Sequence, residues 1–174
     1  MSSPFLITTF TTWKPEQPSN ASDDLIEALL QRNLLSETAH LLRQIPVDFE
    51  LASATVLARM ADLQPEWVVC CGMAEQRSRL TVESNGKLDN HQIHTPVDVH
   101  ELVQDLAITE VSHDAGKFVC NHLYYSVLNH VRTQQLRTHC VFVHVPILHS
   151  KNLGTVLQDF TVILNRLENI SPFR

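Results

Sequence analysis

Residues 112–125 read Ser112-His113-Asp114-Ala115-Gly116-Lys117-Phe118-Val119-Cys120-Asn121-His122-Leu123-Tyr124-Tyr125, and this stretch decides the fold. A short apolar run, Ile108 to Val111, leads into it. β-Branched residues beside turn formers predict a buried strand there, central to its sheet. Asp114-Ala115-Gly116 stops that strand, because Gly116 can take backbone angles that other residues avoid. The period then changes. Val119, Leu123, Val127 and Val131 fall at helical spacing, with Cys120, Tyr124 and Leu128 on the adjoining row. The pattern is strand, tight turn and a helix reaching about Leu136, with Cys120 in or near the first helical turn. A thiol there feels the positive end of the helix dipole, which favours the thiolate. Free cysteine is also among the most buried residue types and often merely packs, so the surrounding chain has to decide its role.

Working outward, strand and helix patterns alternate. Phe5 to Phe10 is a β-prone run. Ser22 is placed to cap a helix whose first turn holds Asp23 and Asp24 and whose apolar face is Leu25, Ile26, Leu29 and Leu30. Thr38 to Val47 reads as a second strand, although Leu41-Leu42 also fits a helix, and Phe49 to Leu63 as a helix ending before Pro65. Trp67 to Met73 is a continuous apolar run of the kind buried in parallel sheets, stopped at Gly72. Arg79 to Glu83 alternates, with Leu80 and Val82 on one face. Ser84 to Thr95 is polar, with Asn85-Gly86 as its turn. Pro96 to Leu106 reads as a short helix started by Pro96, Cys140 to Ile147 as a strong strand and Thr155 to Leu167 as a closing helix. Alternation of this kind defines the α/β class: a three-layer α/β/α sandwich around a mostly parallel sheet, with residues 1–174 as one domain.

Composition narrows the function. The 174 residues are 44% hydrophobic, enough for a real core. The net charge of -6 argues against nucleic acid as a partner. No apolar run reaches membrane-spanning length, and the N-terminus lacks a basic region followed by a signal-type core. A soluble cytoplasmic protein is therefore expected, with no membrane partner. The four cysteines, Cys70, Cys71, Cys120 and Cys140, form no C-x-x-C pair, and Cys140 and His144 lie too far apart along a strand to chelate one ion unaided. No metal is expected.

Ligands of open α/β sheets bind outside the carboxyl ends of strands. Glu83 closes one run, Cys120 follows another, and His144 sits late in a third. Cysteine, histidine and a carboxylate are the parts of a thiol-nucleophile site, in which the imidazole takes the thiol proton and the carboxylate orients the imidazole. Each residue also has an ordinary reading: Glu83 as a solvated strand-end charge, and His144 as a buried ring satisfied by a structural hydrogen bond.

Three motifs together resemble the pyroglutamyl peptidase I family (pyrrolidone-carboxylate peptidases), which are cytosolic cysteine peptidases. They are Ser112-x-x-Ala115-Gly116-x-Phe118-Val119-Cys120-Asn121, Gly72-x-Ala74-x-x-Arg77-Ser78 followed by Glu83, and Phe142-Val143-His144-Val145-Pro146. The resemblance implies Cys120 as nucleophile, His144 as general base and acid, and Glu83 as the residue orienting it, with Arg77 near the thiol helping to stabilise the oxyanion. It implies Phe10, Trp13, Met73, Phe118 and Val119 around the substrate ring. The implied substrate is a small peptide with a blocked N-terminus, cleaved after pyroglutamate without a cofactor; the implied assembly is a dimer or tetramer. The chain departs from the family pattern at Thr11-Thr12-Trp13-Lys14, at Glu75-Gln76 and in the short segment after Glu83, so it reads as a compact variant. A catalytically silent binder, or an amidase for another small N-terminal acyl group, is the alternative.

Overall fold

A computed structural model describes residues 5–170. Six strands form one sheet: β1 (Phe5–Phe10), β2 (Ala39–Ile45), β3 (Trp67–Met73), β4 (Leu80–Glu83), β7 (Thr109–Ser112) and β8 (His139–Val145), in the order β2-β1-β3-β8-β4-β7. A separate hairpin pairs β5 (Asn85–Leu88) with β6 (His91–His94). Side chains alternate across each strand, which divides the interior into two cores. Trp67, Val69 and Cys71 of β3 and Val141, Val143 and Val145 of β8 pack beneath α1 (Ala21–Gln31), α3 (Val99–Val103) and α5 (Leu153–Asn169). Val68, Cys70, Cys140 and Phe142 face α2 (Phe49–Leu63) and α4 (Val119–Thr133) on the other side. The three-layer α/β/α arrangement is as expected.

The sheet is mixed in one place that matters. β2, β1, β3 and β8 run parallel, but β4 pairs antiparallel with β8, and β7 follows β4. The carboxyl end of β4 therefore lies at the opposite sheet edge from that of β8, contrary to the expectation that Glu83 and His144 share an edge. Alternating burial reads the same in either strand direction, so the pattern of Arg79 to Glu83 could not reveal this.

Other expectations are corrected locally. β7 is an edge strand, not a central one; Thr109 is buried, Glu110 is exposed, and Val111 and Ser112 are half-buried. Asn20, not Ser22, caps α1: its side chain accepts from the Ser22 N–H at 3.0 Å and from the Ser22 hydroxyl at 2.7 Å. Asn85-Gly86 is not the turn but the start of β5, and the chain reverses at Asp89-Asn90. Gly86 lies against α4, where an added Cβ would stand 2.6 Å from the Tyr125 nitrogen. Helix α3 begins at Val99, because Asp98 Oδ1 caps the His100 and Glu101 N–H groups at 3.0 Å each. Pro96 lies ahead of it.

The carboxyl end of β1 is anchored by one buried carboxylate. Asp23 accepts from the Thr9 hydroxyl at 2.7 Å, from Gln44 at 2.9 Å and from Arg43 through two nitrogens at 2.8 and 2.9 Å. Gln44 stands at a bulge in the β1–β2 pairing, with φ 55°. Burial alone would raise the Asp23 carboxyl, but the bonds from Arg43, Gln44 and Thr9 hold it below the ordinary value. Asp23→Ala is expected to lower unfolding free energy by about 2–4 kcal/mol at pH 7, measured by denaturant titration. A carboxyl held low in the folded state contributes fully above about pH 4 and loses that contribution as pH falls through its folded value. The gap between wild type and variant should therefore narrow below about pH 4.

Candidate active site

The β7–α4 connection brings Cys120 back to the carboxyl end of β3 and β8. Asp114 Oδ1 accepts from the Gly116 N–H at 3.1 Å, and Gly116 takes φ 83°, which only glycine adopts without strain. Helix α4 then starts with Phe118 as N-cap and no side-chain cap hydrogen bond. Its first-turn N–H groups thus lack the partner that most helices supply. Cys120 is the second helical residue and partly exposed, while Cys70, Cys71 and Cys140 are buried. Asn121 fixes the helix start to the hairpin, accepting from the Lys87 N–H at 2.8 Å and donating to the Lys87 carbonyl at 2.7 Å.

Glycine at position 72 makes room for the sulfur. Gly72 pairs with His144 across β3 and β8, and a Cβ placed on it would lie 2.5 Å from Cys120 Sγ and 3.0 Å from the Phe142 ring. It pairs within β3, which runs from Trp67 to Met73 as its apolar run implies.

Glu83 is not a solvated strand-end charge but is fully buried. Thr81 lies opposite His144, and Glu83 opposite Phe142, so Glu83 and His144 are diagonal neighbours on one face of the antiparallel pair. Glu83 Oε1 stands 2.7 Å from His144 Nδ1 and 2.5 Å from an Arg77 nitrogen. Tyr124 donates its hydroxyl to the Glu83 carbonyl at 2.9 Å, so α4 braces the same strand end. Burial would raise the Glu83 carboxyl, but the hydrogen bond and charge of His144, with the Arg77 charge, hold it below the ordinary range. Arg77 also donates to the Thr81 hydroxyl and, at 2.8 Å, to the Asp114 carbonyl. Its donors are thus engaged by the carboxylate and by the loop that presents Cys120.

Cys120 and His144 open into one cleft of about 340 Å³. All five residues expected around a substrate ring, Phe10, Trp13, Met73, Phe118 and Val119, line it. Trp13 does not fill the space; it stands against Phe118 with ring centroids 5.9 Å apart. Phe118 is 45% exposed, at the cleft mouth and not in the core. Sequence reasoning missed Asn20 and Val47, which also line the cleft; the Asn20 helix cap was the available signal for the first. Glu75 and Gln76 form part of the wall, and the Lys14–Glu75 ion pair at 2.6 Å ties it to the loop that carries Trp13.

The thiol is not depressed, contrary to expectation. Burial pushes Cys120 up to about 12; Cys70 and Glu83 add to this, while its own N–H and Arg77 only partly oppose it. The resting site therefore holds a neutral thiol in the same cleft as an imidazole whose Nδ1 is committed to Glu83, leaving Nε2 to exchange a proton. Such a set can perform nucleophilic attack with proton transfer concerted with it.

A thiol and an imidazole sharing one cleft of an α/β sheet, with a buried carboxylate bonded to the imidazole, are the equipment of a cysteine-type hydrolase. The family model described as pyroglutamyl peptidase matches residues 89–159. The pyrrolidone-carboxylate peptidase of Vibrio vulnificus is 31% identical over 155 residues, covering 74% of this chain and 72% of the relative. That of Brevibacillus brevis is 27% identical over 133 residues, covering 62% of each. Among solved structures, pyroglutamyl peptidase I of Bacillus amyloliquefaciens superposes with TM-score 0.78 at 20% identity, covering 100% of this chain and 97% of the other. A mutant pyrrolidone carboxyl peptidase from Pyrococcus furiosus gives TM-score 0.80 at 17% identity, covering 97% and 100%. The chain belongs to the pyroglutamyl peptidase family. Among the described residues no helix is long and apolar enough to cross a membrane.

Iodoacetamide should label Cys120 in the folded protein and spare Cys70, Cys71 and Cys140, as read by peptide mapping. With a thiol near 12, the labelling rate should climb about tenfold per pH unit between roughly pH 7 and 9. A plateau near neutrality would show instead that the helix dipole governs the sulfur.

Proposed function

We propose that this chain is a cysteine peptidase that hydrolyses the amide bond after an N-terminal pyroglutamyl residue. The observation that carries the reading is the buried Glu83–His144 hydrogen bond of 2.7 Å, which aims the imidazole into the cleft that Cys120 shares, in a chain of this family. The substrate's lactam is small and uncharged, and suits the apolar inner wall made by Phe10, Met73 and Val119.

The steps follow from the residues. His144 Nε2 takes the Cys120 proton as the sulfur attacks the pyroglutamyl carbonyl carbon, forming a C–S bond and an oxyanion. The uncapped N–H groups at the start of α4 are placed to stabilise that oxyanion. Collapse breaks the C–N bond, and the imidazolium gives its proton to the departing amine. Water, deprotonated by His144, then attacks the thioester, releasing pyroglutamate and restoring the thiol. Glu83 stays ionised throughout and holds the ring, as its lowered carboxyl requires.

Release of aminocoumarin from pyroglutamyl-aminocoumarin tests this directly. Wild type should turn over, while Cys120→Ala and His144→Ala should lose at least about a thousandfold in kcat. Absence of wild-type turnover would remove this substrate. Glu83→Gln should lose at least about a hundredfold in kcat with KM little changed. Gly72→Ala should lower kcat/KM about a hundredfold while the protein still unfolds cooperatively, because the added methyl displaces the sulfur from its line of attack.

A further inference from the structure

One carboxylate ties the loop between β1 and α1 across the cleft. Residues 11–20 form neither helix nor strand. Glu75 Oε2 accepts from Lys14 Nζ at 2.6 Å, and Glu75 Oε1 accepts from Gln17 Nε2 at 3.0 Å. Gln17 Oε1 in turn accepts from the Trp13 and Lys14 N–H groups at 2.9 and 3.2 Å. Lys14 Nζ also stands 5.6 Å from the centroid of the Trp13 ring. Glu75 has a fixed base: the Ala74 N–H donates to the Val145 carbonyl at 2.9 Å, one residue beyond His144, and Arg77 is bonded to Glu83. Trp13 is thus held from the end of β3, while its ring meets Phe118, the N-cap of the helix that carries Cys120. Trp13, Glu75 and Cys120 line the same cleft. Both ends of the tie lie where the sequence departs from the family pattern, at Thr11-Thr12-Trp13-Lys14 and at Glu75-Gln76.

We infer that Glu75 is a positioning residue: through Gln17 and Lys14 it holds the Trp13 indole as a wall of the cleft, and that fixed wall sets the size of acyl group the cleft accepts. The inference rests on the proposed pyroglutamyl activity. A loop held beforehand in its ligand-bound geometry brings no ordering cost to binding. A fixed indole also resists the displacement that a larger ring demands, and one additional methylene in such a pocket typically changes kcat/KM about 10–200-fold. Cutting the tie frees the indole, so the small lactam loses a preformed contact and a bulkier acyl group gains room. The bonds from Lys14 and Gln17 hold the Glu75 carboxyl below its ordinary value, so the tie is charged at neutral pH. An exposed ion pair alone is weak. The Gln17 amide, bonded to both the carboxylate and the Trp13 backbone, carries the connection.

The test compares kcat and KM for pyroglutamyl-aminocoumarin and for its homologue with a six-membered lactam. Wild type should prefer the five-membered ring at least about tenfold in kcat/KM. Glu75→Ala should raise KM for the pyroglutamyl substrate about fivefold with kcat within about twofold, and should cut the preference at least about threefold. Glu75→Gln, which keeps an acceptor for Gln17, should retain most of both. Acrylamide quenching follows the wall directly. Trp67, the other tryptophan, is 1% exposed, so stronger quenching in Glu75→Ala reports Trp13. In a Trp13→Ala background, Glu75→Ala should change neither KM nor the preference further. Equal kcat/KM for the two rings in wild type, or an unchanged preference or unchanged quenching in Glu75→Ala, would overturn the inference while leaving the pyroglutamyl activity in place. So would a loss confined to kcat, or a further loss in the Trp13→Ala background, which would put Glu75 in direct contact with the substrate. No turnover of either amide by wild type would remove that activity and the inference with it.

Discussion

A carboxylate with no exposed surface, accepting a hydrogen bond from an imidazole at 2.7 Å, is the interaction on which the rest of this molecule depends. Burying a lone carboxylate is so unfavourable that it would ordinarily take up a proton. Glu83 stays ionised because His144 and Arg77 converge on it and Tyr124 braces its backbone. Each of those partners comes from a different element, and each leads onward. Arg77 reaches the loop that presents Cys120, Tyr124 belongs to the helix that carries Cys120, and His144 pairs across the sheet with the glycine that makes room for its sulfur. The site is thus a closed circuit through sheet, loop and helix.

The same arrangement explains why a high resting thiol is compatible with nucleophilic chemistry. An ionised cysteine close to buried Glu83 would place two negative charges in a region of poor screening, and both burial and Glu83 oppose it. In the proposed reaction, the proton would pass to His144 only as the sulfur attacks, so that the charge would develop on the substrate oxygen near the helix N-terminus. On that proposal the helix dipole would act on the oxyanion more than on the resting sulfur. This is electrostatic preorganisation of a kind usually associated with serine nucleophiles.

Much of this was legible in residues 1–174. The strands Phe5–Phe10 and Trp67–Met73 and the helix Phe49–Leu63 have the bounds that their apolar patterns imply. The turn at Gly116 and the helix after it follow from one glycine and a change of period. What was illegible has physical causes. Strand direction leaves no trace in side-chain alternation, so Glu83 was read at the wrong edge. Asn20 outcompeted Ser22 for the cap because its longer side chain takes both the amide and hydroxyl hydrogens of Ser22. Asn85-Gly86 has turn chemistry, but its glycine is needed for the approach to α4. The state of Cys120 depended on burial by distant strands, which no local motif reports.

The reversed direction of β4 has one more consequence. In a parallel neighbour, Glu83 would lie at the edge of the sheet beside the end of β8. Here Glu83 still ends β4 but lies opposite Phe142 in the middle of β8, on a short strand whose other face is committed to the other core through Leu80 and Val82. A slip of one residue in the pairing of β4 with β8 would turn Glu83 to the α5 side and bring Val82 to the face that His144 occupies. The register of β4 is thus held as firmly as any side chain in the cleft.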